Sequence, residues 1–241
     1  MRIGIISDVH SNYEALKAVL RELSREGVDR IINAGDNVGY SAFPNECIEL
    51  FKAEGIEGVI GNYDEAVAFC RPICGCGYKD PEVARIGHLS LTWTQENASD
   101  KTKEYLAGLP KHLKFESPLG KVFALHGGLE GLTQWITEKD TNLLKDIAQK
   151  TGARLVIMGH IHKPFVTEIE GTTFVNPGAV GRPFDGNPRA SFAIVEIADT
   201  FNVRLKRIEY DVEKNIHALM NAGLPHEIGI MLRKGRDTHL A

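Results

Sequence analysis

The stretch Arg2-Ile3-Gly4-Ile5-Ile6-Ser7-Asp8-Val9-His10-Ser11-Asn12 decides how the rest of the chain is read. Arg2 to Ser7 is a short apolar run of the kind that forms a buried strand, and it ends on an acid and an imidazole two residues apart. Ser11 and Glu14 then have the spacing of a capping box. Leu16, Val19, Leu20 and Leu23 recur at helical spacing, and Gly27 supplies a stop. Arg30 to Asn33 is the next strand. Such a strand–helix–strand unit, of roughly 30 residues, matches a right-handed parallel crossover.

Working outward, the pattern continues. Pro44 to Lys52 reads as a helix with Pro in its first turn, and Gly58 to Ile60 as a third strand. Pro81 to Asn97 and Lys101 to Leu109 read as helices, and Arg71 to Asp80 as a Gly- and Cys-rich loop. Lys121 to Leu125 is a buried strand, Lys139 to Lys150 a helix and Leu155 to Met158 a strand. Then the character changes. Phe165 to Ile169, Thr172 to Val175, Ser191 to Glu196 and Asn202 to Ile208 alternate between apolar and polar and are separated by turn signals, as in a run of antiparallel strands. Val212 to Ala222 and His226 to Lys234 close the chain as helices whose apolar face could cover the sheet or join a homodimer. The class is α/β, a mixed layered sheet flanked by helices.

At 241 residues and 43% hydrophobic, the chain can bury one sizeable core, so one domain over 1–241 is expected, with a core to about 208 and a helical cover over 209–241. A net charge of −4, from 28 basic and 32 acidic residues, gives no reason to expect a non-specific nucleic-acid or membrane binder. No apolar run approaches a membrane span, and Ile3 to Ile6 is too short for the core of a signal peptide, so a cytoplasmic protein is expected. In that compartment Cys47, Cys70, Cys74 and Cys76 are not a disulfide framework. The last three read as thiols in a surface loop, with a metal or redox role as the alternative.

The chemistry lies at the strand ends. Successive strands run into Asp8-Val9-His10, Gly35-Asp36, Gly61-Asn62, His126-Gly127-Gly128 and Gly159-His160-Ile161-His162. In an open α/β sheet, ligands bind at the carboxyl ends of the strands, so side chains far apart in sequence would converge on one edge. Two Asp, one Asn and four His suit borderline divalent metals such as Mn, Fe, Co, Ni or Zn. Any one of these motifs alone is better read as a cap, a turn or a structural histidine. Five in succession are not.

The ordered set Asp8-x-His10, Gly35-Asp36, Gly61-Asn62, His126-Gly127 and Gly159-His160-x-His162 resembles the calcineurin-like metallophosphoesterase superfamily. Asn176-Pro177-Gly178-Ala179-Val180-Gly181-Arg182-Pro183 extends the likeness to a small bacterial and archaeal phosphodiesterase branch. The resemblance implies a four-layer αββα sandwich of two mixed sheets. It also implies two divalent ions, one held by Asp8, His10, Asp36 and His162, the other by Asp36, Asn62, His126 and His160. Asp36 would bridge them, and a metal-bridging hydroxide would attack phosphorus. Such a site stays about +2 once its two Asp are counted, which suits a phosphoester, either a small molecule or a nucleotide.

Where relatives carry Gly-Asn-His, this chain has Gly61-Asn62-Tyr63. A phenol, with an ordinary pKa of about 10, is a poorer acid than imidazole. Tyr63 therefore acts as a weak donor to the leaving group, or packs over the site. A phosphodiesterase follows, with a phosphomonoesterase (a phosphoprotein phosphatase or a dinucleoside polyphosphate hydrolase) and a non-catalytic scaffold of the same fold as the alternatives. Asn12, Asn37 and Arg182 are candidate substrate contacts, though Asn37 also suits a turn and Arg182 a surface. His88, His112, His217, His226 and His239 match no ligand position and are read as ordinary histidines.

Overall fold

The computed structural model describes residues 1–78 and 80–236. In β1 (Arg2–Ile6) the side chains alternate across the sheet. Ile3 and Ile5 point into the core between two sheets, and Ile6 points to the helical side. Helix α1 (Tyr13–Arg25) buries Ala15, Leu16, Val19, Leu20 and Leu23 on that side. Gly4 lets α1 approach: a methyl there would lie 2.8 Å from a Leu23 carbon. The cap of α1 is Asn12, whose side chain accepts from Ala15 N–H, and not the expected Ser11. Ser11 Oγ instead accepts from Gly39 N–H.

The first sheet has the order β10-β9-β1-β2-β3. Here β2 is Arg30–Asn33 and β3 is Glu57–Gly58, both parallel to β1, while β9 (Ala190–Ile197) and β10 (Phe201–Ile208) are antiparallel additions. Helix α2 (Pro44–Ala53) lies between β2 and β3. The second sheet has the order β4-β5-β6-β8-β7, with β4 at His112–Ser117, β5 at Gly120–Leu125, β6 at Leu155–Ile157, β7 at Pro164–Ile169 and β8 at Thr172–Pro177. Strands β5, β6 and β8 are parallel, and β4 and β7 run against them at the edges. The expected run of antiparallel strands after Phe165 is therefore split. Strand β8 pairs parallel with β6 in one sheet, and β9 crosses to the other.

The two sheets share a core of Ile3, Ile5, Ile32, Val122, Leu155, Ile157, Val175 and Val195. On the outer face of the second sheet, Val156 and Phe174 pack on Leu144 and Ile147 of α6 (Thr141–Thr151). A helical cluster covers the end of the molecule. It comprises α3 (Asn62–Ala68), α4 (Pro81–Asn97), α5 (Asp100–Ala107), α7 (Val212–Asn221) and α8 (His226–Lys234). Ile216, Leu219, Ile228 and Leu232 of the last two helices pack there against Ile86 and Leu91, so that apolar face covers its own chain. No helix among the described residues is long and apolar enough to cross a membrane.

Candidate metal centre

The strand ends of both sheets meet at one place. Asp8 and His10 follow β1, Asp36 follows β2, and Asn62 opens α3 just after β3. From the second sheet, His126 follows β5, and His160 and His162 follow β6. All seven are buried. Asp8, His10, Asp36, His160 and His162 adopt left-handed backbone, with φ of 53°, 48°, 54°, 70° and 57°. Non-glycine residues there cost about 1–3 kcal/mol each and persist only where surrounding contacts fix them. Here Asp8 N–H donates to Gly35 O at 2.9 Å, and His10 N–H to Asp36 O at 3.1 Å, so the loop after β1 is pinned to the loop after β2. Gly61 completes the fit, since a methyl at that position would overlap the Asp36 carboxylate.

The hydrogen bonds of the imidazoles fix what faces inward. His10 donates through Nδ1 to Val38 O at 3.1 Å, His126 to Ala34 O at 2.7 Å and His162 to Arg182 O at 2.5 Å. A carbonyl can only accept, so the proton of the neutral ring sits on Nδ1 and Nε2 presents a lone pair. Those lone pairs converge on other acceptors. His10 Nε2 lies 3.2 Å from His162 Nε2, and His126 Nε2 lies 3.0 Å from Asn62 Oδ1. His162 Nε2 is 3.3 Å from Asp8 Oδ1, a buried oxygen without a hydrogen-bond partner among the described residues. Asp36 Oδ2 is 3.7 Å from His10 Nε2 and 3.5 Å from His126 Nε2. Ligand atoms of Asp8, His10 and His162, and of Asp8, Asp36 and His126, each lie within 4.8 Å of one another. Acceptors crowded together in a buried site call for a cation, so the residues fit a metal centre.

Protonation agrees. Burial pushes His10 down to about 3 and His160 down to about 4, which keeps both rings neutral, as ligands must be. Burial opposes the charge of Asp36, but His126 beside it holds the carboxyl well below its usual range. Burial likewise opposes a charged His126, yet Asp36 lifts it to about 9. Without metal His126 is therefore protonated at Nε2 as well, and its lone pair toward Asn62 Oδ1 is freed only when an incoming cation displaces that proton.

The other expected contacts fall differently. Tyr63 is fully buried, with its hydroxyl 3.0 Å from Gly87 O and 2.8 Å from Ser90 Oγ of α4, and burial raises its pKa well above the ordinary value. Its hydroxyl is thus held by α4, while its ring meets His10 edge-on with centres 5.7 Å apart and its backbone N–H donates to Asp36 Oδ1 at 2.8 Å. Of the two readings of Tyr63, donation and packing over the site, these contacts are those of packing. The Asn12 side chain is engaged within the chain. Its amide caps α1 and donates to Gly181 O and to Tyr210 Oη, both at 3.0 Å. Asn37 donates to Asp64 Oδ2 at 2.7 Å and accepts from Asn33, which makes it part of the loop's framework. Arg182 is not on the surface: it is buried at the cleft, its guanidinium 3.9 Å from the Tyr40 ring centre and 4.4 Å from that of Phe184.

Some residues at the site had no expectation attached. Asp64 accepts from the backbone N–H groups of Gly61, Asn37 and Val38 and so ties the loop after β2 to the start of α3. Its place in Gly61-Asn62-Tyr63-Asp64 was a usable signal. Phe184 stacks on His162 with ring centres 4.3 Å apart, and Trp135 meets His160 edge-on at 5.7 Å. Nothing local in the sequence marks either one. Cys74 and Cys76 are joined by a disulfide, which corrects the reading of both as thiols, and Cys76 lines the cleft. Cys70 is an exposed thiol and Cys47 a buried one. His239 lies outside the described residues.

Residues 1–200 match the calcineurin-like phosphoesterase superfamily domain. The chain belongs to that superfamily. An uncharacterized protein of Methanocaldococcus jannaschii is 31% identical, over 97% of this chain and 98% of its own length. A metallophosphoesterase from Sphaerobacter thermophilus has a similar structure, with 32% identity, a TM-score of 0.76 and coverage of 98% of this chain and 100% of the other. A hypothetical protein from Pyrococcus horikoshii shares the fold at a TM-score of 0.85 and 23% identity, over 98% of this chain and 99% of the other. This calcineurin-like phosphoesterase is thus a metal-dependent phosphoester hydrolase with the family's sandwich of two mixed sheets.

Proposed function

We propose that this phosphoesterase is a dinuclear phosphodiesterase. One ion would be held by Asp8, His10, Asp36 and His162, the other by Asp36, Asn62, His126 and His160. The observation that carries the reading is the position of one oxygen: Asp36 Oδ2 lies between Nε2 of His10 and Nε2 of His126. A single carboxylate oxygen at these distances, 3.7 Å and 3.5 Å from imidazoles assigned to different ions, supports a bridging role for Asp36. Two divalent ions bound there would polarise a phosphoryl oxygen and lower the pKa of water.

The chain's own residues do the rest. Neutral His and Asn ligands leave the loaded site cationic and attractive to a phosphate anion. Arg182, held between Tyr40 and Phe184, offers a planar donor fork to a phosphate oxygen. The Tyr63 hydroxyl, held by Gly87 and Ser90, leaves that position without the imidazole acid seen in many relatives. Acid help is typically worth ~10²–10⁴-fold, so its lack weighs most on poor leaving groups. That favours aryl and activated esters over alkyl esters, and the likeness of the segment from Asn176 to Pro183 to the phosphodiesterase branch is what points to diesters.

The test compares turnover of bis(4-nitrophenyl) phosphate with that of 4-nitrophenyl phosphate by the manganese-loaded protein. The proposal expects the diester to be hydrolysed with the higher kcat/KM. A ratio that clearly favours the monoester would refute it.

A further inference from the structure

Asn62 has an amide with two faces, and the chain fixes which one turns inward. Its Oδ1 lies 3.0 Å from His126 Nε2, in the metal centre. Its Nδ2 points the other way, donating to the Cys74 carbonyl at 3.1 Å and to Cys76 Sγ at 3.3 Å. A carbonyl only accepts, so a flipped amide would set two oxygens against each other at Cys74 and turn an N–H toward the metal. Orientation of the ligand atom thus depends on where the loop holds Cys74 and Cys76.

Backbone hydrogen bonds do little to hold that loop. Among the described residues, no backbone N–H of residues 72–78 donates to a backbone carbonyl. Gly75 and Gly77 lie in the left-handed region, with φ of 71° and 64°, where glycine is freest. The Cys74–Cys76 disulfide, the contact of Tyr78 Oη with Tyr40 Oη and the packing of the two cysteines against the helical cluster are its fixed points.

We propose that the Cys74–Cys76 cross-link positions Asn62 and thereby sets the affinity of the metal site that Asn62 shares with Asp36, His126 and His160. The inference rests on the two-ion reading above. Reduction by a dithiol delivers two electrons to the S–S bond. The bond breaks, the two thiol protons of the reductant pass to Cys74 and Cys76, and the reductant closes to its own disulfide. The loop then has no side-chain cross-link over Gly75, and the Asn62 amide loses its fixed partners. Among the described residues, Asp8, His10 and His162 make no hydrogen bond to the loop, and their group keeps its affinity.

The test measures manganese binding by isothermal titration calorimetry on metal-stripped protein. One sample is oxidised, one is reduced with dithiothreitol and freed of it anaerobically, and one is the Cys74→Ser/Cys76→Ser variant. The oxidised chain should bind two ions. The reduced chain and the variant should bind one with unchanged affinity and the second at least tenfold more weakly, with tight binding restored to the wild type on reoxidation. Circular dichroism of all three samples separates this from loss of fold, and the reduced wild type carries the test should the variant not fold. Two ions bound equally well by oxidised and reduced chains would overturn the inference and leave the two-ion reading standing. One ion per chain in both states would overturn the two-ion reading and the inference with it.

Discussion

His10 and His162, 152 residues apart, face each other through Nε2 atoms 3.2 Å apart while each donates its Nδ1 proton to a backbone carbonyl. Two lone pairs so placed repel unless a cation lies among them. Manganese should therefore raise the melting temperature of the wild-type chain, because it binds the folded state alone. The His162→Ala variant should lose at least the ~10–100-fold in affinity typical of lesser changes around a metal. Calorimetry on the two proteins checks this, and equal affinities would exclude His162 as a ligand.

Metal binding should also release a proton. Although burial opposes its charge, His126 is lifted to about 9 by Asp36, so below that pH the metal-free ring is protonated and a cation must displace the proton. Affinity should then rise with pH, by up to about tenfold per unit, and level off above pH 9. Titrations at pH 7.5 in buffers of different ionisation enthalpy would show the proton released. Buffer-independent heats and a flat pH profile would count against the Asp36–His126 pairing.

Tyr63→Phe removes a hydroxyl that α4 already holds. Its expected effect is on stability, about 1 kcal/mol for a lost buried hydrogen bond, with kcat for an aryl diester changed less than about threefold. A drop of ~10²-fold, the scale of lost acid catalysis, would restore Tyr63 as a proton donor.

Arg182 is buried between two rings, and its planar fork is not reproduced by an ammonium. Both Arg182→Lys and Arg182→Ala should therefore raise KM for a diester by roughly tenfold or more, the scale of one lost charge-assisted hydrogen bond. Metal stoichiometry should not change. Lysine activity equal to wild type would show that Arg182 acts only as a charge.

Much of this was legible because the ligand residues sit where short apolar runs end. Helices over Pro81–Asn97 and His226–Lys234 match the expectation residue for residue, since Pro81 and Pro225 mark their starts and Gly235 the end of the second. The helix Asn62–Ala68 was not read, because it is only seven residues long and begins on a site residue in place of a capping side chain. Strand His112–Ser117 was missed as well: it lies at the sheet edge and is largely solvated, so its alternation is diluted by charge. The division of β8 and β9 between two sheets depends on pairing with β6 and β1, distant partners that local alternation does not encode. Asn12 and Asn37 look like site residues because they adjoin site residues. Only the fold shows that their amides are occupied by Gly181, Tyr210 and Asp64.

The proposed bridging role of Asp36 is tested most directly by chelating the protein, reloading it with manganese, and measuring bound metal and diester turnover on the same sample, for wild type and for Asp36→Asn. The account predicts two ions per wild-type chain, turnover that returns in step with the second ion, and loss of both occupancy and turnover in the variant. A wild-type chain fully active with one ion, or an Asp36→Asn variant that keeps two ions and its turnover, would contradict it.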